Sequence, residues 1–219
     1  MISFIDKGKD KTLLVLPGWG FTPEFMGLDR LEWNLLVPAR PVFDPLPLVS
    51  KAMGKYGLDG IYVLGWSLGA RIALDSALKA PEIFKGCILV SYGDMFRQDI
   101  IREKLRQIEE NREKGLRSFY LTIFPDKGAY RAFRKVHEKR CISFWSLEDL
   151  KIGLNYLLKP APTHIPLKNL VFIHGNRDDL CPPERIMEIT SLEEPRRILL
   201  DCGHIPFTKD EFYEAVNNL

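Results

Sequence analysis

Ile61-Tyr62-Val63-Leu64-Gly65-Trp66-Ser67-Leu68-Gly69-Ala70-Arg71-Ile72-Ala73-Leu74 is the stretch on which the fold turns. An apolar run of strand length passes through Gly-x-Ser-x-Gly into a segment of helical composition. The reading is strand, tight turn and helix, with a serine at the apex. A serine on so sharp a turn has a strained backbone. Bulky side chains two positions to either side would collide as strand and helix converge, and Gly65 and Gly69 stand there. The turn exposes the hydroxyl and sets the first amides of the helix beside it, where the helix dipole favours negative charge. Glycine and serine are common, so the five-residue string alone is weak. The strand before it and the helix after it give it force.

A serine hydroxyl needs a base, and the base needs an acid to orient it. The chain supplies both, in the order Ser, Asp, His. Leu170-Val171-Phe172-Ile173 reads as a buried strand running into the polar turn His174-Gly175-Asn176-Arg177-Asp178-Asp179. Arg197-Ile198-Leu199-Leu200 reads as the next strand, running into Asp201-Cys202-Gly203-His204. Ser67, Asp178 and His204 each fall just past the C-terminal end of a strand, the edge at which open α/β sheets bind ligands. Asp179 competes with Asp178 as the acid. His174 competes with His204, but it precedes the acid and is followed by Gly175, which reads as turn construction. His137 and His164 read as cap and loop histidines. Asp201 is too near His204 in sequence to orient it and reads as a strand-end cap.

These blocks resemble those of α/β-hydrolases and, within that fold, the pimeloyl-acyl-carrier-protein methyl ester esterases of biotin synthesis. The resemblance rests on Pro17-Gly18-Trp19-Gly20 after the first core strand and on Gly65-Trp66-Ser67-Leu68-Gly69. It rests equally on His174-Gly175-x-x-Asp178 with Pro182 following, and on Gly203-His204-Ile205-Pro206-Phe207. One departure is Pro17, where the family carries a histidine that is not catalytic. The resemblance implies Ser67 as nucleophile, His204 as base and Asp178 as acid, with no cofactor. The backbone amides of Trp19 and Leu68 would form the oxyanion hole. It also implies a helical cap inserted over the strand ends, and an ester substrate held on acyl carrier protein. A thioesterase or a short-chain carboxylesterase would use the same three residues, as would a lyase of menaquinone-pathway type. A non-catalytic binding protein of the same fold is the alternative from another class.

The 219 residues fit one domain with an insertion. No run approaches a membrane span, and the start lacks the pattern of a secretory signal. The cysteines, Cys87, Cys141, Cys181 and Cys202, show no C-x-x-C spacing. The expectation is reduced thiols in a cytoplasm and no metal site. No glycine-rich phosphate loop is present.

Apolar runs at Thr12–Leu16, Asn34–Pro38, Gly60–Leu64 and Cys87–Ser91 alternate with helical patterns at Leu46–Tyr56 and Leu68–Lys79. The alternation resumes at Asn169, with helices expected at Pro183–Thr190 and Lys209–Asn217. This predicts an α/β fold with a mainly parallel sheet covered by helices on both faces. Little antiparallel edge is expected before the first core strand, so the sheet should be small. The predicted division is a core of residues 1–93 and 163–219, with a helical cap at 94–162. Four cap helices are expected: Asp99–Lys114 ending at Gly115, Leu116–Phe124, Ala129–Arg140, and one opening at Ser146. Trp66, Phe124 and Phe133 are candidates for the substrate pocket. The Trp19 and Trp66 side chains serve equally as apolar packing, and Phe124, Phe133, Phe144 and Trp145 equally as the cap's own core.

The net charge of +2 is unevenly spread. Lys127, Arg131, Arg134, Lys135 and Lys139 follow helical spacing, Arg140 adds to them, and Glu138 is the only acid in that stretch. The cluster sums to +5, leaving −3 for the rest of the chain. Such a stripe is either a solvated face or a docking site for an acidic partner, with acyl carrier protein the leading candidate. The patch is local and lacks a recognition motif, which argues against nucleic acid.

Overall fold

The computed structural model describes residues 1–219. The first half holds β1 (Ile2–Ile5), β2 (Thr12–Leu16), β3 (Asn34–Pro38), α1 (Leu46–Tyr56), β4 (Ile61–Trp66), α2 (Leu68–Lys79) and β5 (Phe84–Val90). Five helices follow with no strand among them: α3 (Gln98–Glu110), α4 (Arg112–Ile123), α5 (Lys127–Phe133), α6 (Lys139–Phe144) and α7 (Leu147–Leu157). The chain ends with β6 (His164–Ile165), β7 (Leu170–Gly175), α8 (Glu184–Met187), β8 (Thr190–Ser191), β9 (Arg196–Leu200) and α9 (Asp210–Asn217).

Seven strands form the main sheet in the order β1-β3-β2-β4-β5-β7-β9. Only β1 runs antiparallel, against β3. The edge before the first core strand is thus a complete four-residue strand, more than the sequence promised. Every second residue of β1 faces solvent, so its apolar signal is diluted. β6 and β8 pair separately. Strands β2, β3, β4 and β7 are buried nearly throughout, as a parallel sheet covered on both faces requires. β9 closes the far edge with Arg196 and Arg197, charges that discourage further strand pairing.

The strand order reverses between β2 and β4, because β2 leads on to β3 on one side and β4 leads on to β5 on the other. The loops leaving β2 and β4 diverge there and open a crevice at the carboxyl edge. Trp19 lies on one of these loops and Ser67 on the other.

The inserted helices differ in detail from expectation. The first ends at Glu110 rather than at Gly115. Asn111, with φ −159°, breaks the path, and its side chain accepts from the Lys114 amide to start α4. Gly115 lies inside α4 against Ile108, where a side chain would not fit. The third runs unbroken from Lys127 to Phe144 through a π-helical turn at Arg134–Glu138. Ser146 caps α7 as expected, with Asp149 completing a capping box. The helix expected at Pro183–Thr190 is a single turn, because Thr190 is drawn into β8.

One side chain ties both ends of the insertion to the core. The Arg71 guanidinium, on α2 four residues after Ser67, is buried. Its Nη1 donates to the Gly93 and Asp94 carbonyls at 3.3 and 3.4 Å, and its Nη2 donates to the Lys159 carbonyl at 2.7 Å. These carbonyls sit where the chain leaves the core and where it returns. Arg71→Met keeps the stem and strands all three acceptors. It is expected to cost about 3 kcal/mol in denaturant unfolding. It should also speed amide exchange at residues 93–95 and 159–161 more than in β4 and β5. A loss below about 0.5 kcal/mol with unchanged exchange would contradict the tie.

Candidate active site

Ser67 adopts φ 54° and ψ −112°, a conformation that favours glycine, at the start of α2. Its amide donates to the Val90 carbonyl at 2.9 Å, tying the apex to the neighbouring strand. A Cβ on Gly65 would meet the Gly69 carbonyl, and one on Gly69 would meet the Leu16 and Pro17 carbonyls. The glycine spacing therefore lets strand, helix and the β2 loop converge. The Leu68 amide, first in the helix, and the Trp19 amide, on the β2 loop, have no hydrogen-bond partner within the protein.

Asp178 is 2 % exposed, while Asp179 is exposed. Its Oδ1 accepts from the Leu180 and Cys181 amides at 3.1 and 2.9 Å, and its Oδ2 lies 2.8 Å from Nδ1 of His204. Burial alone would push the Asp178 carboxyl up. The charge and hydrogen bond of His204, the Cys181 amide and the nearby His174 outweigh it and hold the group below its ordinary value. His204 is 5 % exposed and therefore not a surface turn histidine. Its carbonyl accepts from the Trp66 indole at 2.8 Å and from Ser91 Oγ at 3.2 Å. The residue immediately before Ser67 thus anchors His204. With Nδ1 taken by Asp178, the buried Nε2 has no partner.

His174 is fully buried, and its role in building the turn is visible. Its Nε2 donates to the Cys181 carbonyl at 2.6 Å and lies 3.4 Å from Asp178 Oδ2, while Nδ1 is unpartnered. Burial is the largest influence on the imidazole and draws it below its ordinary value. His137 borders the larger cavity and stacks on Phe133, whereas His164 is an exposed residue of β6. Asp201 pairs with Arg177 at 3.0 Å on the surface rather than capping the strand. Asp178, Cys181 and His204 bring one ligand-type atom each within 4.8 Å of one another. That grouping suits a metal poorly. Burial raises the Cys181 thiol well above its ordinary value, and His204 Nδ1 is already committed to Asp178.

Two cavities meet at this edge, and both are bordered by Thr122, Asp179 and Leu180. The larger, about 1050 Å³, runs past Asp178 and His204 between the β9 loop and α5, and Phe124 and Phe133 line it. The smaller, about 270 Å³, holds Ser67 and Trp19 under α3, α4 and α7. Trp66, expected in the pocket, lines neither. It is 1 % exposed and packs against Phe21, Phe207 and the His204 ring. Phe133 also packs tilted or edge-on against Phe21, Phe25 and Tyr120, so it also joins the cap to the β2 loop. Three hydrogen bonds fasten the insertion to the Trp19 loop: Trp19 Nε1 to the Leu150 carbonyl, Tyr120 Oη to the Gly20 carbonyl and Trp145 Nε1 to the Phe21 carbonyl.

The basic stripe is thinner than its sequence. Arg134 reaches the buried Glu138 at 3.7 Å, and Arg140 pairs with Glu24 at 2.7 Å. Lys127, Arg131, Lys135 and Lys139 are exposed without an ion-pair partner. No helix is long and apolar enough to cross a membrane.

A model described as "Alpha/beta hydrolase family" matches residues 12–217, and the chain belongs to that family. A pimeloyl-[acyl-carrier protein] methyl ester esterase of Citrobacter koseri is 24% identical, over 93% of this chain and 91% of its own. One of Wigglesworthia glossinidia brevipalpis is 23% identical, over 91% and 89%. Among solved structures, an esterase from Exiguobacterium antarcticum superposes with a TM-score of 0.76 at 17% identity, over 99% of this chain and 94% of that one. An enol-lactonase from Burkholderia xenovorans does so with 0.75 at 13%, over 100% and 95%. Likeness at these identities shows the fold, which hosts more than one chemistry.

A carboxylate whose folded value lies below its unfolded one adds stability above the unfolded value. That contribution vanishes as pH falls through the folded value. The stability gap between the wild type and Asp178→Asn is therefore expected to be full at about pH 7 and to close below about pH 4. Urea titrations across that range would measure it, and a gap independent of pH would contradict the ionised carboxylate.

Proposed function

We propose that the protein is a serine hydrolase of carboxylic esters, with Ser67 as nucleophile, His204 as base and Asp178 as orienting acid. The observation that carries the reading is His204 itself. Its Nδ1 is fixed on a buried carboxylate, its carbonyl is held by Trp66, and its buried Nε2 is left without a partner. In the mechanism, Nε2 takes the proton of Ser67 Oγ as the oxygen attacks the ester carbonyl carbon. Asp178 holds the tautomer that leaves Nε2 free and stabilises the imidazolium. The Trp19 and Leu68 amides receive the negative charge on the carbonyl oxygen. His204 returns its proton to the departing alcohol. Water, activated in the same way, then releases the acid and restores Ser67.

The names of the two curated relatives favour a methyl ester carried on acyl carrier protein over a thioester or a general short-chain ester. The larger cavity has room for a carrier's prosthetic arm. Lys127, Arg131, Lys135 and Lys139 supply positive charge on the helix that borders it, which would steer an acidic carrier. A reduced cytoplasmic setting fits the four buried free cysteines.

Ser67→Ala is expected to lower turnover of a p-nitrophenyl ester by about a million-fold with the fold intact. Near-wild-type activity would remove the assignment. Asp178→Asn should cost about four orders of magnitude and Asp179→Asn little, since only the former has the His204 contact. Equal losses would contradict the choice of acid. Arg131→Glu with Lys135→Glu should slow hydrolysis of a carrier-linked ester at low salt and spare a small soluble one. An equal effect on both substrates, or none on either, would reduce the stripe to a solvated face.

A further inference from the structure

The wall of the smaller cavity carries one ammonium with no ion-pair partner. Arg97, Ile100, Ile101 and Lys104 recur at helical spacing at and along α3, and all four line the cavity that holds Ser67. Phe119, Leu154, Leu157 and Leu180 face them. Arg97 is exposed and engaged in a two-pronged pair with Asp99. Lys104 is half-buried, and its Nζ donates only to neutral acceptors, Gln107 Oε1 at 3.0 Å and Ser118 Oγ at 3.3 Å. Its sequence neighbour Glu103 is committed to Arg106 and Gln107. Burial draws the Lys104 ammonium below its ordinary value, against an upward pull from Glu103. The stripe continues into the buried Ile108, so an apolar residue would pack more cheaply at position 104. A lysine that merely snorkelled would send its head to water. This one is held by Gln107 and Ser118, while the residue itself lines the cavity.

We infer that the smaller cavity takes an acyl chain ending in a carboxylate, with Lys104 as its counter-charge, so that the protein hydrolyses free half-esters of dicarboxylic acids. The inference rests on Ser67 as the nucleophile and needs no carrier. Ser67 Oγ bonds to the ester carbonyl carbon, and the alcohol leaves with the proton from His204. Water then cleaves the acyl-serine, releasing the dicarboxylate. A volume of about 270 Å³ holds roughly nine waters' worth of matter. It suits a short diacid chain and is too small for a carrier's prosthetic arm, which would enter the larger cavity. A carboxylate there would convert two neutral hydrogen bonds into an ion pair in a largely apolar site.

The test compares monoethyl adipate with ethyl hexanoate, equal in chain length and differing in the terminal carboxylate, on the wild type and Lys104→Met. The wild type should prefer the half-ester. Lys104→Met should lower its kcat/KM by about 10- to 100-fold, chiefly through KM, and leave ethyl hexanoate within about 2-fold. Equal changes on the two esters, or none, would overturn the inference while leaving Ser67 in place. Calorimetric titration with adipate separates the two layers. If neither ester is cleaved but adipate binds the wild type and not Lys104→Met, the carboxylate site stands and the hydrolase reading falls. If adipate binds neither protein and the esters are cleaved alike, the site falls and the hydrolase stands.

Discussion

A carboxylate with no exposed side-chain surface must be surrounded by donors, and Asp178 is. Two amides of its own turn hold one oxygen, and the His204 ring holds the other. His174 fixes the turn by donating to the Cys181 carbonyl, whose amide in turn serves Asp178. Through this one group the β7 turn and the β9 turn are locked together. Gly175 permits the approach, because any side chain there would strike the Gly203 and Cys202 carbonyls. Remove the carboxylate and the orientation of His204 has only its backbone contacts and the Trp66 ring left.

The elbow supplies the other half of the constraint. Positive φ at Ser67 is unfavourable for a residue with a side chain and persists because its surroundings enforce it. The amide of Ser67 is bound to β5, the helix after it is pinned by Arg71 to both ends of the insertion, and Trp66 before it holds His204. Cap, elbow and β9 turn are therefore mechanically one unit. A shift in the inserted helices would reach the Trp19 loop through the Leu150, Tyr120 and Trp145 hydrogen bonds.

Features written in local sequence were legible in advance. The Gly65–Gly69 spacing, the start of α2 and the Ser146 cap each depend on a few adjacent residues. Asp178 rather than Asp179 follows from the distance to His174-Gly175, and the structure brings Asp178 to His204. Features set by distant partners were not legible. Arg71 looks like an ordinary helix surface residue until Gly93 and Lys159 arrive beside it. Trp66 reads as a pocket residue next to the serine, but its ring packs into the core against Phe21 and Phe207. The π-helical turn draws Glu138 inward to Tyr130 and Arg117, which removes Arg134 from the free stripe. The break at Asn111 was hidden because its neighbours are strong helix formers, and a single capping side chain decides it. Lys104 carried no signal at all, because its meaning depends on a cavity closed by three helices.

The proposed nucleophile is Ser67, activated by His204 and Asp178. Its most direct measurement is covalent capture. The protein would be treated with a fluorophosphonate and the modified peptide identified by mass spectrometry, for the wild type and for His204→Gln. One adduct per wild-type chain is expected, on Ser67, forming far faster than in the variant. No adduct, an adduct on another residue, or equal rates in the two proteins would contradict it.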